Sequence, residues 1–283
     1  MTQQARTSWT PWMAWTRYTV LATALVVSAC AWSPAPDAAI ASSAQALADA
    51  RAVLAPTGRL RVGVYRGSPT SWVNNPQTGE SVGVAFELGQ LMARQLQVPF
   101  EAVEFARVAE VLDALKTGRV DMTFTNATSA RARDVDFTAP MVQLELGLLV
   151  PNGSSIRSFA DVDRAGIRVG VSQGSSSQGA LGQRLQQARL VAAPSLDAAQ
   201  QMLRAGQIDA FATNKGILFE MTEKLPGFQV LNDRWGLENL AIAVPKGRES
   251  GRAFLQNFAQ QMQSNGQLKA ITERAGLRGL AQP

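Results

Sequence analysis

Histidine is absent from this chain of 283 residues, and cysteine occurs once, at Cys30. Without His there is no imidazole to act as general base and no His-ligated metal site. A single Cys allows neither an internal disulfide nor a paired-thiolate metal knuckle, so no metal and no other cofactor is expected. Basic residues are numerous, 27 Lys plus Arg against 22 Asp plus Glu. They never cluster into a run and are not interleaved with aromatics, so nucleic acid is not an expected partner. The apolar run Tyr18–Val27 is shorter than the roughly 20 residues of a spanning helix. What remains is a chain with 46% hydrophobic and 17% charged residues, able to bury a core of one large or two medium domains.

The lone cysteine has a specific setting. Arg17 precedes the apolar run, and Val27-Ser28-Ala29-Cys30 follows, which has the parts of a secretory signal. Small residues just before a cysteine resemble the lipobox of bacterial lipoproteins, in which Cys30 would be acylated and become the new N-terminus. Residues 1–29 therefore read as a signal peptide of lipoprotein type, with Met13 as the expected start of translation. Residues 30–57, rich in Ala, Ser and Pro, read as a membrane tether carrying a short helix, Ser43–Leu54.

From Gly58 onward, strands and helices alternate, which argues for α/β architecture with mainly parallel sheets. Short apolar runs give strands at Leu60–Tyr65, Phe100–Phe105, Val120–Phe124, Leu144–Val150, Ile167–Val171, Leu190–Ala192, Ile208–Ala212, Phe228–Leu231 and Leu240–Val244. Helical spacing marks Val84–Leu96, Val108–Leu115, Phe159–Asp163, Leu196–Arg204, Ile217–Lys224, Glu249–Ser264 and Leu268–Ala275.

The chain also echoes itself. Arg61-Val62-Gly63-Val64 recurs as Arg168-Val169-Gly170-Val171. Leu115–Asp121 leads to Thr125-Asn126, and Leu203–Asp209 leads to Thr213-Asn214, with Leu, Gly, Asp, Thr and Asn at matching offsets. Two matched blocks in the same order indicate two lobes of similar build. Each lobe would place a Thr-Asn pair, and the turn after its RVGV strand, on the carboxyl edge of its sheet, where open α/β sheets bind ligands. The stretch around the first pair adds Thr128, Arg131 and Arg133. Guanidinium beside short hydroxyl and amide side chains suits a small polar or anionic solute. The Ser-rich turn Gly174–Ser177, opening a helix, suits an anion as well.

In these features the chain resembles the periplasmic solute-binding proteins of ABC importers, family 3, the two-lobed polar-amino-acid type, over about residues 58–278. The family's strand of the LRVG kind is matched at Leu60–Gly63, and its GFDVDLA helix at Gly83–Gly89. Its T-x-x-R-x-x-x-V-x-F-[ST]-x-P run is matched at Thr128, Arg131, Val135, Phe137, Thr138 and Pro140. Its GV-x-x-G-S/T-S/T turn is matched at Gly170–Ser176. The resemblance implies a type II periplasmic-binding-protein fold of two Rossmann-like lobes joined by a two-strand hinge. Residues 58–141 and 239–283 would form lobe 1 and residues 142–238 lobe 2, with crossovers near Met141–Leu144 and Gly236–Leu240.

It also implies a function: capture of a small solute in the periplasm by hinge closure, and delivery to an ABC permease in the inner membrane. Arg131 would hold the ligand carboxylate. The further site residues implied are Tyr65, Ser68, Trp72, Thr125, Asn126, Thr128, Ser175, Ser176, Ser177 and Asn214. Family members that bind amino acids carry acids for the ligand ammonium where this chain has Tyr65 and Asn214. The expected ligand is therefore an organic anion, or an amino acid whose amine meets neutral acceptors, with Arg66 and Lys215 adding positive potential if they face the cleft. Alternatives on the same scaffold are a dehydratase using Asp134 or Asp136 and a sensor module acting through a partner chain.

Overall fold

The computed structural model describes residues 36–75 and 78–281. The signal peptide, Met13 and Cys30 lie outside the described residues. Helix α1 (Pro36–Leu54) leads into strand β1 (Leu60–Tyr65). A small hairpin, β2 (Val73–Asn74) with β3 (Ser81–Val82), precedes helix α2 (Val84–Leu96). Strand β4 (Phe100–Phe105), helix α3 (Val108–Lys116), strand β5 (Thr123–Asn126) and the short strand β6 (Val135–Phe137) follow. Strand β7 (Val142–Pro151) carries the chain into the second lobe. That lobe contains β8 (Arg168–Ser172), α4 (Ser176–Arg184), β9 (Arg189–Ala193), α5 (Leu196–Arg204), β10 (Ala210–Asn214), α6 (Lys215–Thr222) and β11 (Phe228–Val230). Strand β12 (Gly236–Pro245) returns to the first lobe, where α7 (Arg252–Ser264) and α8 (Gln267–Arg274) complete it.

The internal echo has a physical cause in each lobe. Asp121 accepts from Arg61 N at 3.0 Å, Nε at 2.9 Å and Nη2 at 2.9 Å. Asp209 accepts from Arg168 in the same pattern, at 2.8, 3.0 and 2.7 Å. The arginine that opens each RVGV strand is thus clamped by the aspartate that opens the strand beside it. The glycines of the two words leave room for neighbouring apolar side chains. A Cβ on Gly63 would lie 2.8 Å from Val111 Cγ1, and one on Gly170 would collide with Ile208 Cδ1.

The hinge is a ladder. β7 and β12 pair antiparallel from Val142↔Leu240 to Leu146↔Gly236. Beyond that ladder β12 pairs with β5 and β6 in the first lobe, while β7 pairs with β10 and β11 in the second. Two apolar clusters fill the first lobe, a large one including Val62, Leu88, Met122 and Phe258 and a smaller one including Leu115, Val120 and Val135. Clusters around Val169 and Leu148, and around Phe211 and Leu218, fill the second on either face of its sheet.

Four expectations need correction. The sheets are not mainly parallel: β1–β4, β8–β9 and β8–β10 pair parallel, but every pair made by the two long strands β7 and β12 is antiparallel. The tether does not extend to residue 57: Ala50, Leu54 and Ala55 are buried in the first lobe's core, and Arg51 Nε donates to Leu96 O at 2.8 Å. The strands expected to end at Phe124 and Ala212 run two residues further, through the two Thr-Asn pairs. The pairs form the strands' last residues, because β12 and β7 offer them antiparallel partners, Asn126↔Leu240 and Asn214↔Leu146. The predicted helix at Phe159–Asp163 is a 3-10 turn over Phe159–Asp161, capped by Ser158 and Asp161.

Asp121 has no exposed side-chain surface and also accepts from Arg248 Nη2 at 3.1 Å. Arg248 in turn bonds Val53 O, tying α1 to this pair. Asp121→Asn should therefore destabilise the protein by about 3–5 kcal/mol, because two guanidinium groups lose their anion. Asp209→Asn, whose carboxylate is about a third exposed, should cost on the order of 1 kcal/mol. Urea unfolding of the two variants checks this, and equal losses would contradict it.

Candidate functional site

The carboxyl ends of the parallel strands converge where the lobes meet. β1 ends at Tyr65, β5 at Asn126, β8 at Ser172 and β10 at Asn214. Between them lies a cavity of ≈ 40 Å³, room for only a few waters. Its polar wall includes Tyr65, Thr70, Thr125, Arg131, Ser176 and Glu238, and its apolar wall Val108, Phe124, Leu196, Ile217 and Leu240.

Arg131 enters this cavity from a 3-10 turn, Arg131–Arg133, whose first N–H donates to Thr128 Oγ1 at 3.2 Å. Its Nη1 donates to Thr125 Oγ1 at 3.0 Å and to Asn126 O at 3.2 Å. Both acceptors are neutral, and among the described residues the guanidinium has no ion-pair partner. Burial pulls its pKa below the ordinary arginine value, while Glu238 and then Tyr65 oppose that shift. Burial likewise raises the pKa of the Tyr65 phenol, opposed by its hydrogen bond with Ser68. A desolvated cation with donors to spare is costly unless an anion joins it.

The second lobe supplies α4. Ser175 caps it by accepting from Gln178 N at 3.1 Å, and Ser176, its first residue, faces the cavity. The first-turn amides of such a helix lack intrahelical acceptors and favour negative charge. Asn214 caps α6 through Ile217 N at 3.0 Å and donates from Nδ2 to Glu238 Oε2 at 3.0 Å. Ser176 Oγ donates to Glu238 Oε1 at 2.9 Å.

Not every expected residue reaches the cavity. Tyr65, Thr125, Asn126, Arg131, Ser175, Ser176 and Asn214 line it. Trp72 does not: its indole stacks on Phe86, with ring centroids 5.4 Å apart, under the Arg66 guanidinium. The ring is a wedge beneath its loop. Ser68 is fully buried behind the wall, bonded to Thr70 Oγ1 at 2.8 Å, and Thr70 takes the facing position. Ser177 is buried on the inner side of α4, its Oγ without a hydrogen-bond partner. Thr128 borders a wider hollow between α3 and α4 that shares Arg131, Ser175 and Ser176 with the cavity.

The surrounding charges also differ from expectation. Arg66 is exposed and paired with Glu104. Lys215 folds away from the cleft onto Glu145 Oε2, at 2.7 Å, and Asn232 O. Asp134 pairs with Lys116, and Asp136 with Lys246. The acid in the cleft is Glu238, which local pattern reading missed. The strand had been expected to start at Leu240, which left Glu238 in a linker. Extending the alternation back two residues puts Glu238 on the buried face with Leu240, while Leu237 and Asn239 face out.

The lobes are drawn together over the cavity. Asn126 Nδ2 donates to Ser176 Oγ at 3.2 Å, and Arg107 Nη1 to Pro194 O at 3.3 Å. Gly174, at φ +71°, lies so close to α3 that a Cβ would sit 2.5 Å from Ala109 Cβ. Gly174→Ala should therefore hold the lobes ajar and weaken ligand binding, and adding Ala109→Gly should restore part of the loss. Solution scattering and calorimetry read both effects. A Gly174→Ala protein that closes and binds like the parent would contradict this packing.

A sequence profile of the bacterial extracellular solute-binding proteins, family 3, matches residues 60–277. The ABC transporter glutamine-binding protein GlnH of Bacillus subtilis (strain 168) is 23% identical over 237 residues, 82% of this chain and 86% of that protein. Among solved structures, the amino acid ABC transporter substrate-binding protein AbpA of Streptococcus pneumoniae bound to L-arginine superposes with a TM-score of 0.71 at 21% identity. That match covers 78% of this chain and 96% of the other. The ancestral amino-acid-binding protein AncCDT-1, a precursor of cyclohexadienyl dehydratase, superposes with a TM-score of 0.67 at 25% identity, covering 78% and 96%.

Proposed function

The chain belongs to the bacterial extracellular solute-binding proteins, family 3, and on that footing we propose that it captures a small amino-acid-like solute by its carboxylate between the two lobes and presents it to an ABC importer. The observation that carries this reading is Arg131. Its guanidinium is desolvated at the cleft, is held only by neutral acceptors, and lies beside the first turn of α4. A ligand carboxylate would supply the missing anion and gain charge-assisted bonds from both lobes at once. That differential contact favours the closed form, because an open cleft offers the ligand only one wall. The relatives GlnH and AbpA are substrate-binding proteins of ABC transporters, and Asp134 and Asp136, the acids expected to serve a dehydratase, are engaged with lysines outside the cavity.

Arg131→Ala should weaken binding roughly a hundredfold or more, since it removes charge-assisted hydrogen bonds. It should leave ligand-free stability within about 1 kcal/mol, because no ion pair is broken. Calorimetric titration against the twenty common amino acids, with melting curves of the ligand-free proteins, measures both. Unaltered affinity would overturn the assignment.

The same reading places the protein outside the cytoplasm, held to the membrane by an acylated Cys30. The segment Val27–Cys30 supports this by its small residues before the thiol. Cys30→Ser should move the protein from the membrane to the soluble envelope fraction. An unchanged partition on fractionation would count against the anchor.

A further inference from the structure

We infer that Glu238, on the hinge strand β12, binds the cationic group of the ligand and makes this cleft selective for zwitterions over simple anions. The inference rests on the carboxylate-capture reading above and adds the second half of the ligand's charge pattern.

Glu238 is 7% exposed and lines the same cavity as Arg131. Its two hydrogen-bond donors, Ser176 Oγ and Asn214 Nδ2, are both neutral. A carboxylate has about four acceptor positions, so these two bonds leave acceptor capacity unused. Among the described residues no cation pairs with it, and Arg131 stays on Thr125 and Asn126 instead. Two opposite charges thus stand in one small cavity, each bonded to neutral groups, near enough for Glu238 to favour the guanidinium's charge but not joined in an ion pair. An unpaired buried charge is unfavourable, and one zwitterion resolves both at once. A simple anion would satisfy Arg131 but face the unpaired Glu238 carboxylate, so the site also rejects by repulsion.

The placement follows from strand register. Asn126, whose carbonyl holds Arg131, pairs with Leu240. Glu238 lies two residues along the same strand and on the same face, about 7 Å away at the backbone. The positions expected to supply an acid, Tyr65 and Asn214, are filled by neutral groups, and Asn214 instead orients the glutamate. The expectation of an anion-selective cleft without an acid is replaced by a cleft whose acid comes from the hinge.

A purely structural Glu238 would join Ser176 to Asn214 and do no more. Glu238→Gln tests the difference, because the amide keeps the size and an oxygen to accept from Asn214 Nδ2, with its NH2 donating to Ser176 Oγ, but loses the charge. The probes are the twenty common amino acids, each paired with its des-amino carboxylate, for example L-glutamine with glutaramate. Titration calorimetry of wild type and variant should show the best amino acid binding wild type at least a hundredfold more tightly than its des-amino partner. In Glu238→Gln that ratio should fall at least tenfold, with the des-amino acid binding as well as before or better. A wild-type protein that prefers the des-amino anion would overturn this inference and leave carboxylate capture by Arg131 standing. Parallel losses for both probes in the variant would make Glu238 structural and overturn it too. Failure of every probe to bind wild type would overturn both readings. The wild-type ratio needs no variant, so it decides the matter even if Glu238→Gln does not fold.

Discussion

The antiparallel ladder between Val142–Leu146 and Gly236–Leu240 is the constraint on which the rest of the molecule depends. Two ten-residue strands lie side by side in one continuous sheet that runs through both lobes, and their shared segment is where the lobes join. Because side chains alternate along a strand, the register of this ladder also decides which residues face the cleft. It buries Glu238 and Leu240 toward the cavity and turns Leu237 and Asn239 outward. A slip of one residue would remove the cleft's acid and place a leucine there. The hinge therefore joins the lobes and also lines the cavity between them.

Each lobe repeats one local solution. An arginine opens a strand, a glycine two residues on lets the neighbouring apolar side chains approach, and an aspartate entering the adjacent strand clamps the arginine. The second strand then ends in Thr-Asn at the cleft. The two copies have diverged in function at that end. Asn126 reaches across to Ser176, while Asn214 caps its own helix and holds Glu238. Similar backbones thus present unlike groups: a guanidinium supported by the first lobe, and a carboxylate oriented by the second.

The alternating elements, the two-lobed build and Arg131 were legible in the sequence because they follow from local patterns. Periodicity marks the strands and helices, the RVGV echo exposes the duplication, and the motif spacing isolates Arg131 from Arg133. Trp72 and Ser177 were misread for a common reason. The segments that carry them do reach the cleft, but the direction of one side chain is set by packing, against Phe86 for the indole and toward the inner face of α4 for the serine. Lys215 does not meet the condition of facing the cleft, because α6 begins at that residue and carries it toward Glu145. Glu238 was not legible at all from local pattern, since its burial depends on pairing with residues nearly a hundred positions earlier.

The most direct test of the central claim is a crystal structure of the protein with its bound amino acid. The ligand carboxylate is expected between the Arg131 guanidinium and the first turn of α4, with the ammonium on Glu238 and both lobes closed over it. A ligand found outside the cleft, with Arg131 turned onto Glu238 as an internal ion pair, would contradict it.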